Sequence, residues 1–202
     1  MADISHIKYQ HIIESLEDIA ECAAGSLVLV GGTALALFYL KHRVSVDLDF
    51  VPVSGDDAMH KGALKGCLSK KGYRTLRSAY SNQFVIQFED TSIKVEIFIP
   101  DEKLGKIETF DIGTKKILVA SLQDLLNMKI ATYKRRKKAR DIYDVIAILD
   151  KTDSNIEIAI DLIKSCGKPE EIEIIRIMET DKKYYKLFEE VLMHATKTDS
   201  DL

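Results

Sequence analysis

From Val44 to Phe50 the chain reads VSVDLDF, with Val44, Val46, Leu48 and Phe50 alternating against Ser45, Asp47 and Asp49. Successive side chains of a strand point to opposite faces, so this period of two predicts a strand over 44–50 with one apolar and one polar face. The polar face carries two carboxylates two residues apart. Like charges that close repel unless a cation or strong donors lie between them. A second alternation sets Ile93, Val95, Ile97 and Ile99 against Lys94, Glu96 and Phe98, again with the charge on one face. Two such strands commit the chain to a sheet with one side in a core. The other side is either solvated, as in many antiparallel sheets, or part of a site.

The rest of the chain supplies the layers around that sheet. Residues 3–23 read as an amphipathic helix, 27–30 as a short buried strand stopping at Gly31 and Gly32, and 56–71 as a helix ended by Gly72. Thr33 is the expected N-cap of a helix running to Lys41 or His42. Further strands are expected at 73–79, 83–89 and 92–99, with Asp90 and Thr91 forming the turn between the last two, and a strand pair between 106 and 119. Beyond that the pattern is helical: 121–137, 140–150, 155–165 and two more helices to about 195, before a polar tail, TKTDSDL, expected to fray. The expected class is α/β (α+β): a mixed twisted sheet flanked by helices over 1–120, then a helical part over 121–202, packed as one compact unit.

Composition removes several alternatives. The 202 residues, 46% hydrophobic, suffice for a core without staples. Cys22, Cys67 and Cys166 are far apart, odd in number and match no zinc spacing, so reduced thiols and a cytoplasmic location are expected. The N-terminus has no signal-peptide pattern, and an uncharged run at 25–40 is interrupted by Gly31 and Gly32 and falls short of the roughly 20 residues of a membrane helix. A formal charge of −3 argues against nucleic-acid binding through overall charge. The run KRRKKAR, 134–140, holds six of the 29 basic residues. It is either a solvated face or a local phosphate-binding patch. The five histidines form no ligand pair of suitable spacing, and GxSxG and HExxH are absent, which leaves serine-hydrolase and zincin chemistry without support.

Three blocks remain with chemical content. Asp47 and Asp49 offer hard oxygen ligands that suit magnesium, and Glu96 would add a third carboxylate if its strand pairs beside theirs. Three carboxylates can hold two ions about 4 Å apart, one activating an attacking oxygen and one steadying a leaving phosphate. Gly31-Gly32-Thr33 lies where a strand hands over to a helix: either a tight turn or a place where backbone N–H groups approach a phosphate. In the third block a helical line through Leu122, Leu126, Lys129, Tyr133, Arg136 and Arg140 sets Lys129 at an apolar edge. There it either reaches water or meets an anion, a phosphate or a strand carboxylate. Arg140 and Asp144 have the spacing of a helix-surface pair worth about 0.3–0.5 kcal/mol.

Taken together, GGTALAL, HRVSVDLDF, KVEIF and LLNMKIATYKRRKKARDIYDV resemble the nucleotidyltransferase toxins of the AbiEii/AbiGii type, a branch of the DNA polymerase β-like superfamily, over residues 27–150. The resemblance implies a polymerase β-like nucleotidyltransferase fold and a magnesium-dependent enzyme, using up to two ions, that moves a nucleoside monophosphate from a nucleoside triphosphate to an RNA or protein acceptor. It implies that Gly31, Gly32 and Thr33 contact the phosphates and that Asp47 and Asp49 ligate magnesium. Glu96 stands where the family's third carboxylate, usually aspartate, is expected. Arg43 and Ser45 match the basic and small polar positions before the aspartate pair. Lys129, Arg136, Arg140, Asp141 and Asp144 match the helical block that closes over the nucleotide. It further implies a cognate antitoxin as partner. The alternative is a non-catalytic module that keeps the fold and binds a nucleotide or a protein partner without turnover.

Overall fold

A computed structural model describes residues 4–177 and 180–196. The chain divides into two compact units, one made of the residues through Ala34 together with Val44–Ser121, the other of Leu35–Arg43 together with the residues from Leu122 onward.

The first unit is a seven-stranded mixed sheet with helices. Its elements are α1 (Ile4–Ala23), β1 (Leu27–Val30), α2 (Gly31–Ala34), β2 (Asp47–Pro52), α3 (Asp57–Lys70), β3 (Arg74–Arg77), β4 (Gln83–Gln87), β5 (Ser92–Ile97), β6 (Ile107–Ile112) and β7 (Lys115–Ala120). The strand order is β3-β4-β5-β2-β1-β7-β6, with β2–β5 and β1–β7 parallel and the remaining pairs antiparallel. β1 lies centrally, and its four apolar residues are all buried, as a strand covered on both faces requires. On one face Ile12, Leu16 and Ile19 of α1 and Leu64 and Leu68 of α3 close the core with Leu48, Phe50, Val95 and Ile97. α3 is capped at its N-terminus by Asp56, whose side chain accepts from the Met59 N–H at 2.7 Å.

Several local expectations are corrected. β2 begins at Asp47, three residues later than the alternation predicts: its pairing with β5 starts at Lys94, and β1, its other neighbour, ends at Val30 opposite Asp49. The β4–β5 turn is centred on Glu89 and Asp90, since Gln87 pairs with Ser92 and the Phe88 N–H donates to Thr91 O. Cys22 and Cys67 are not free thiols. α1 and α3 pack side by side and bring their Cα atoms to 5.6 Å, and the two form a disulfide across 45 residues of sequence. Proximity in the fold overrides the distance in sequence that suggested reduced thiols.

The second unit is helical: a wide π-type turn at Leu35–Tyr39, closed by the Leu40 N–H to Leu35 O, then α4 (Leu122–Arg136), α5 (Ala139–Lys151), α6 (Glu157–Cys166), α7 (Glu173–Ile177) and α8 (Lys182–Thr196). α5 is buried almost all round, from Asp141 to Leu149, as a helix at the centre of its unit must be. Tyr143 stacks on His42 and meets Phe188 edge to face, each with ring centroids 5.7 Å apart. The basic run does not continue one helix. α4 ends at Arg136, Lys137 takes a left-handed conformation (φ +51°), and α5 starts at Ala139, so Arg140 leaves the helical line drawn through Lys129. Among the described residues no helix is long and apolar enough to cross a membrane. The expected frayed tail lies outside the described residues from 197 onward.

Candidate active site

Each unit carries its own cluster of charged side chains. In the first, the polar face of β2 and β5 gathers Asp47, Asp49, Lys94 and Glu96. The parallel register sets Asp49 opposite Glu96 and Asp47 opposite Lys94. The Lys94 ammonium lies 3.5 Å from Asp47 Oδ2 and 3.5 Å from Glu96 Oε2, so it bridges the two carboxylates. Partial burial pushes this ammonium down, but Asp47, Asp49 and Glu96 outweigh burial and hold its pKa above the usual lysine value. Glu96 is anchored from the other side as well: Asn82 Nδ2 donates to Oε1 at 3.0 Å and Gln83 Nε2 to Oε2 at 3.1 Å.

Beside Asp49 the chain turns at Gly31, whose φ is +74°. A Cβ on Gly31 would lie 2.5 Å from Asp49 Oδ2, inside any van der Waals limit, so the carboxylate occupies space that only glycine leaves open. The helical stretch starts at Gly31 itself, and Thr33 is therefore not an N-cap. Its fully buried hydroxyl donates to the carbonyl of Asp47 and lies 3.0 Å from Ser45 Oγ. Thr33 and Ser45 thus fix the first residue of β2, and the glycine turn and the aspartate strand form one piece of structure.

The donor chemistry of Asp47 and Asp49, two carboxylates on one strand face with partial exposure, fits a hard divalent ion such as magnesium. Glu96 does not complete a three-carboxylate cage: among the described residues no group of three or more His, Cys, Asp and Glu side chains could hold a metal ion. Its oxygens face Asn82, Gln83 and the Lys94 ammonium instead.

The second cluster is sealed. Asp144, fully buried, accepts from Arg43 Nε at 2.6 Å and Nη2 at 2.7 Å, lies 2.6 Å from Lys129 Nζ, and lies 2.7 Å from His42 Nε2. Buried Asp141 takes both Arg136 Nε at 2.7 Å and Nη2 at 2.8 Å, and lies 3.3 Å from Lys129. Burial alone would raise the Asp144 carboxyl, but Arg43, Lys129 and His42 prevail and hold it well below the usual carboxylate range. Burial also drives His42 down, against the pull of Asp144. Its Nδ1 is buried without a hydrogen-bond partner.

This geometry corrects two readings. The anion at Lys129 is a pair of helix carboxylates, neither a strand carboxylate nor open space for water. Asp144 is no surface partner of Arg140: it is buried among Arg43, Lys129 and His42, while Arg140 is exposed. Within the basic run, Arg136 pairs with Asp141, and Lys138 with Glu170 and Glu171. Lys94, Asn82, Gln83 and His42 escaped the sequence reading. For Lys94 the signal was present, since it shares the charged face of its strand with Glu96.

The mixed sheet that presents two aspartates beside a glycine turn, and the helical unit, have counterparts among solved structures. The fold is shared with the crystal structure of JHP933 from Helicobacter pylori (TM-score 0.59, 17% identity, covering 96% of this chain and 92% of that one). It is shared also with the antibiotic-resistance factor ANT(2'')-Ia in solution (TM-score 0.52, 13% identity, 90% and 97% covered). A third likeness is an antigenic nucleotidyltransferase-like protein from Paracoccidioides brasiliensis (TM-score 0.53, 16% identity, 70% and 77% covered). Residues 20–192 match the family described as nucleotidyl transferase AbiEii toxin, type IV toxin–antitoxin system, and the chain belongs to that family. It is a nucleotidyltransferase. No curated protein matches it.

Proposed function

We propose that this chain transfers a nucleoside monophosphate from a nucleoside triphosphate to an RNA or protein hydroxyl, as the toxin of a pair with a cognate antitoxin. The observation that carries this reading is the close fit of Gly31 against Asp49, which joins a backbone able to approach phosphates to a carboxylate able to hold a cation. Asp47 and Asp49 would hold magnesium, which would supply neutralisation of phosphate charge for attack at the α-phosphate and departure of pyrophosphate. Gly31 and Gly32 receive the phosphates through their backbone. Thr33 and Ser45 act one step removed by fixing the start of β2. Glu96, held by Asn82 and Gln83, adds negative potential to the same strand face.

In the second unit the buried Arg43, Lys129 and Asp144 hold the helices in place, and Arg136 and Arg140, at that unit's surface, receive phosphates. Catalysis of this kind rests on positioning and charge neutralisation more than on covalent chemistry. Asp47→Ala and Asp49→Ala each abolish transfer from labelled nucleotides while the circular dichroism spectrum stays that of the wild type. Near wild-type transfer by either variant would rule the reading out. Nucleotide-dependent thermal stabilisation with no labelled product from the wild type would instead favour a binding module.

A further inference from the structure

We infer that the basic edge formed by α3 and β3 docks a single-stranded RNA acceptor, with Tyr80 stacking on one of its bases, so that the hydroxyl taking the nucleotide belongs to RNA and not to a protein. The inference rests on the proposed nucleotidyl-transfer reading and adds to it the acceptor's class and its binding surface.

Between Asp57 and Glu89 the chain carries Lys61, Lys65, Lys70, Lys71, Arg74 and Arg77 and no acidic residue, although its total charge is −3. Folding gathers this charge on one side of the first unit. α3 runs along β3, the edge strand of the sheet: Lys61 Nζ donates to the carbonyl of Ser81, and two helical turns on, Ser69 Oγ lies 2.8 Å from Thr75 Oγ1. Lys65 falls between these anchors on the same helix face, one turn from each. Lys71 pairs with Asp18 and Glu21. Lys65, Lys70, Arg74 and Arg77 pair with no carboxylate among the described residues, and all but Lys65 are exposed. Cations crowded on one edge without partners suit an anion of repeating charge.

The edge is continuous with the carboxylate face. The ladder sets Asp47, Lys94, Val85 and Leu76 in one row across β2, β5, β4 and β3, so at the usual strand spacing Leu76 lies about 14 Å from Asp47, and Arg74 shares its face. Tyr80, 67% exposed, stands in the β3–β4 turn, where the Gln83 N–H donates to its carbonyl at 3.2 Å and Asn82 and Gln83 hold Glu96. Single strands bind to surfaces of this kind: phosphates meet the cations and a base covers the ring. An acidic protein would answer the charge but not the ring.

The test is fluorescence anisotropy of a labelled single-stranded RNA of mixed sequence with the full chain, in EDTA and without nucleotide. Lys65→Gln, Arg74→Gln and Arg77→Gln together should weaken binding about tenfold or more and make its log–log salt dependence shallower by about two. The same change of charge at the exposed Lys151, Lys164 and Lys182 of the helical unit should weaken it less than about twofold. Tyr80→Ala should weaken it about tenfold, and Tyr80→Phe should keep the wild-type affinity. Equal losses in the two triple variants, or no RNA binding by the wild type, overturn the docking surface and leave nucleotide transfer to be judged by the Asp47→Ala assay. Polyglutamate bound as tightly as RNA and lost in the first triple variant, with Tyr80→Ala unchanged, overturns it in favour of an acidic protein partner.

Discussion

The two charged clusters use the same residue types to opposite ends. On the sheet face, Asp47, Lys94 and Glu96 remain between about a quarter and two fifths exposed, and carboxylates outnumber cations. In the helical unit Asp144 and Asp141 are fully buried, and Arg43, Lys129 and Arg136 outnumber them. An ion cluster in water stays responsive to added cations, because rearranging it costs little. A cluster sealed from water is fixed, because any unpaired member bears its full desolvation cost. The first is therefore suited to receive a ligand and the second to hold a scaffold.

The sharpest way to break this contrast is to delete one carboxylate from each cluster. Asp144→Ala leaves Arg43 and Lys129 buried without their partner and should cost about 3–5 kcal/mol in urea unfolding. Asp47→Ala, on the exposed face, should change stability by less than about 1 kcal/mol. Comparable losses at the two sites would erase the distinction.

Next in size is the link that the first unit has and the second lacks. Closing a loop across 45 residues is worth about 4 kcal/mol in the chain-entropy model, so Cys22→Ala with Cys67→Ala, or reduction of the wild type, should lower stability toward that figure. Unchanged melting on reduction would remove the disulfide as a determinant.

Smaller again is Gly31→Ala. The added Cβ meets Asp49 Oδ2 and the residue must keep a positive φ, for an expected loss of about 1–3 kcal/mol together with loss of transfer activity. Retained activity would separate the glycine from the aspartate.

The smallest effect is a pH slope. His42 is held neutral by burial, with a folded pKa below the usual 6.5, so the unfolded chain binds a proton that the folded chain does not. Stability from this group is complete above the unfolded value and declines as pH falls from there toward the folded pKa, by at most about 1.4 kcal/mol per pH unit. Asp144 contributes in the same direction only at more acid pH, because its own pKa is depressed. His42→Gln should flatten the slope between pH 7 and 5. An unaltered slope would assign it elsewhere.

The sheet was legible because its signals are local. Alternation in VSVDLDF and SIKVEIFI declared both strands and the shared face of Asp47 with Asp49 and of Lys94 with Glu96. What stayed hidden was set by partners far along the chain. Lys129 could not be paired with Asp141 and Asp144 from a helical line, because the left-handed Lys137 redirects the chain between them. The start of β2 at Asp47 depends on its pairing with β1 and β5, and the union of Cys22 with Cys67 on how α1 and α3 pack against each other. Asn82 reaches Glu96 only through the fold of the β4–β5 hairpin, for which its own neighbourhood holds no sign.

The placement of residues 35–43 bears on the order in which the chain matures. This stretch lies in sequence between two antiparallel neighbours of the sheet, β1 and β2, yet its Arg43 is bound to a carboxylate 101 residues later. A ribosome has delivered both strands long before Asp144 emerges. Until then the ion pair of Arg43 with Asp144, and the contact of His42 with the same carboxylate, cannot form. Contacts of such long separation are slow to form, and this one ties an early loop to a late helix.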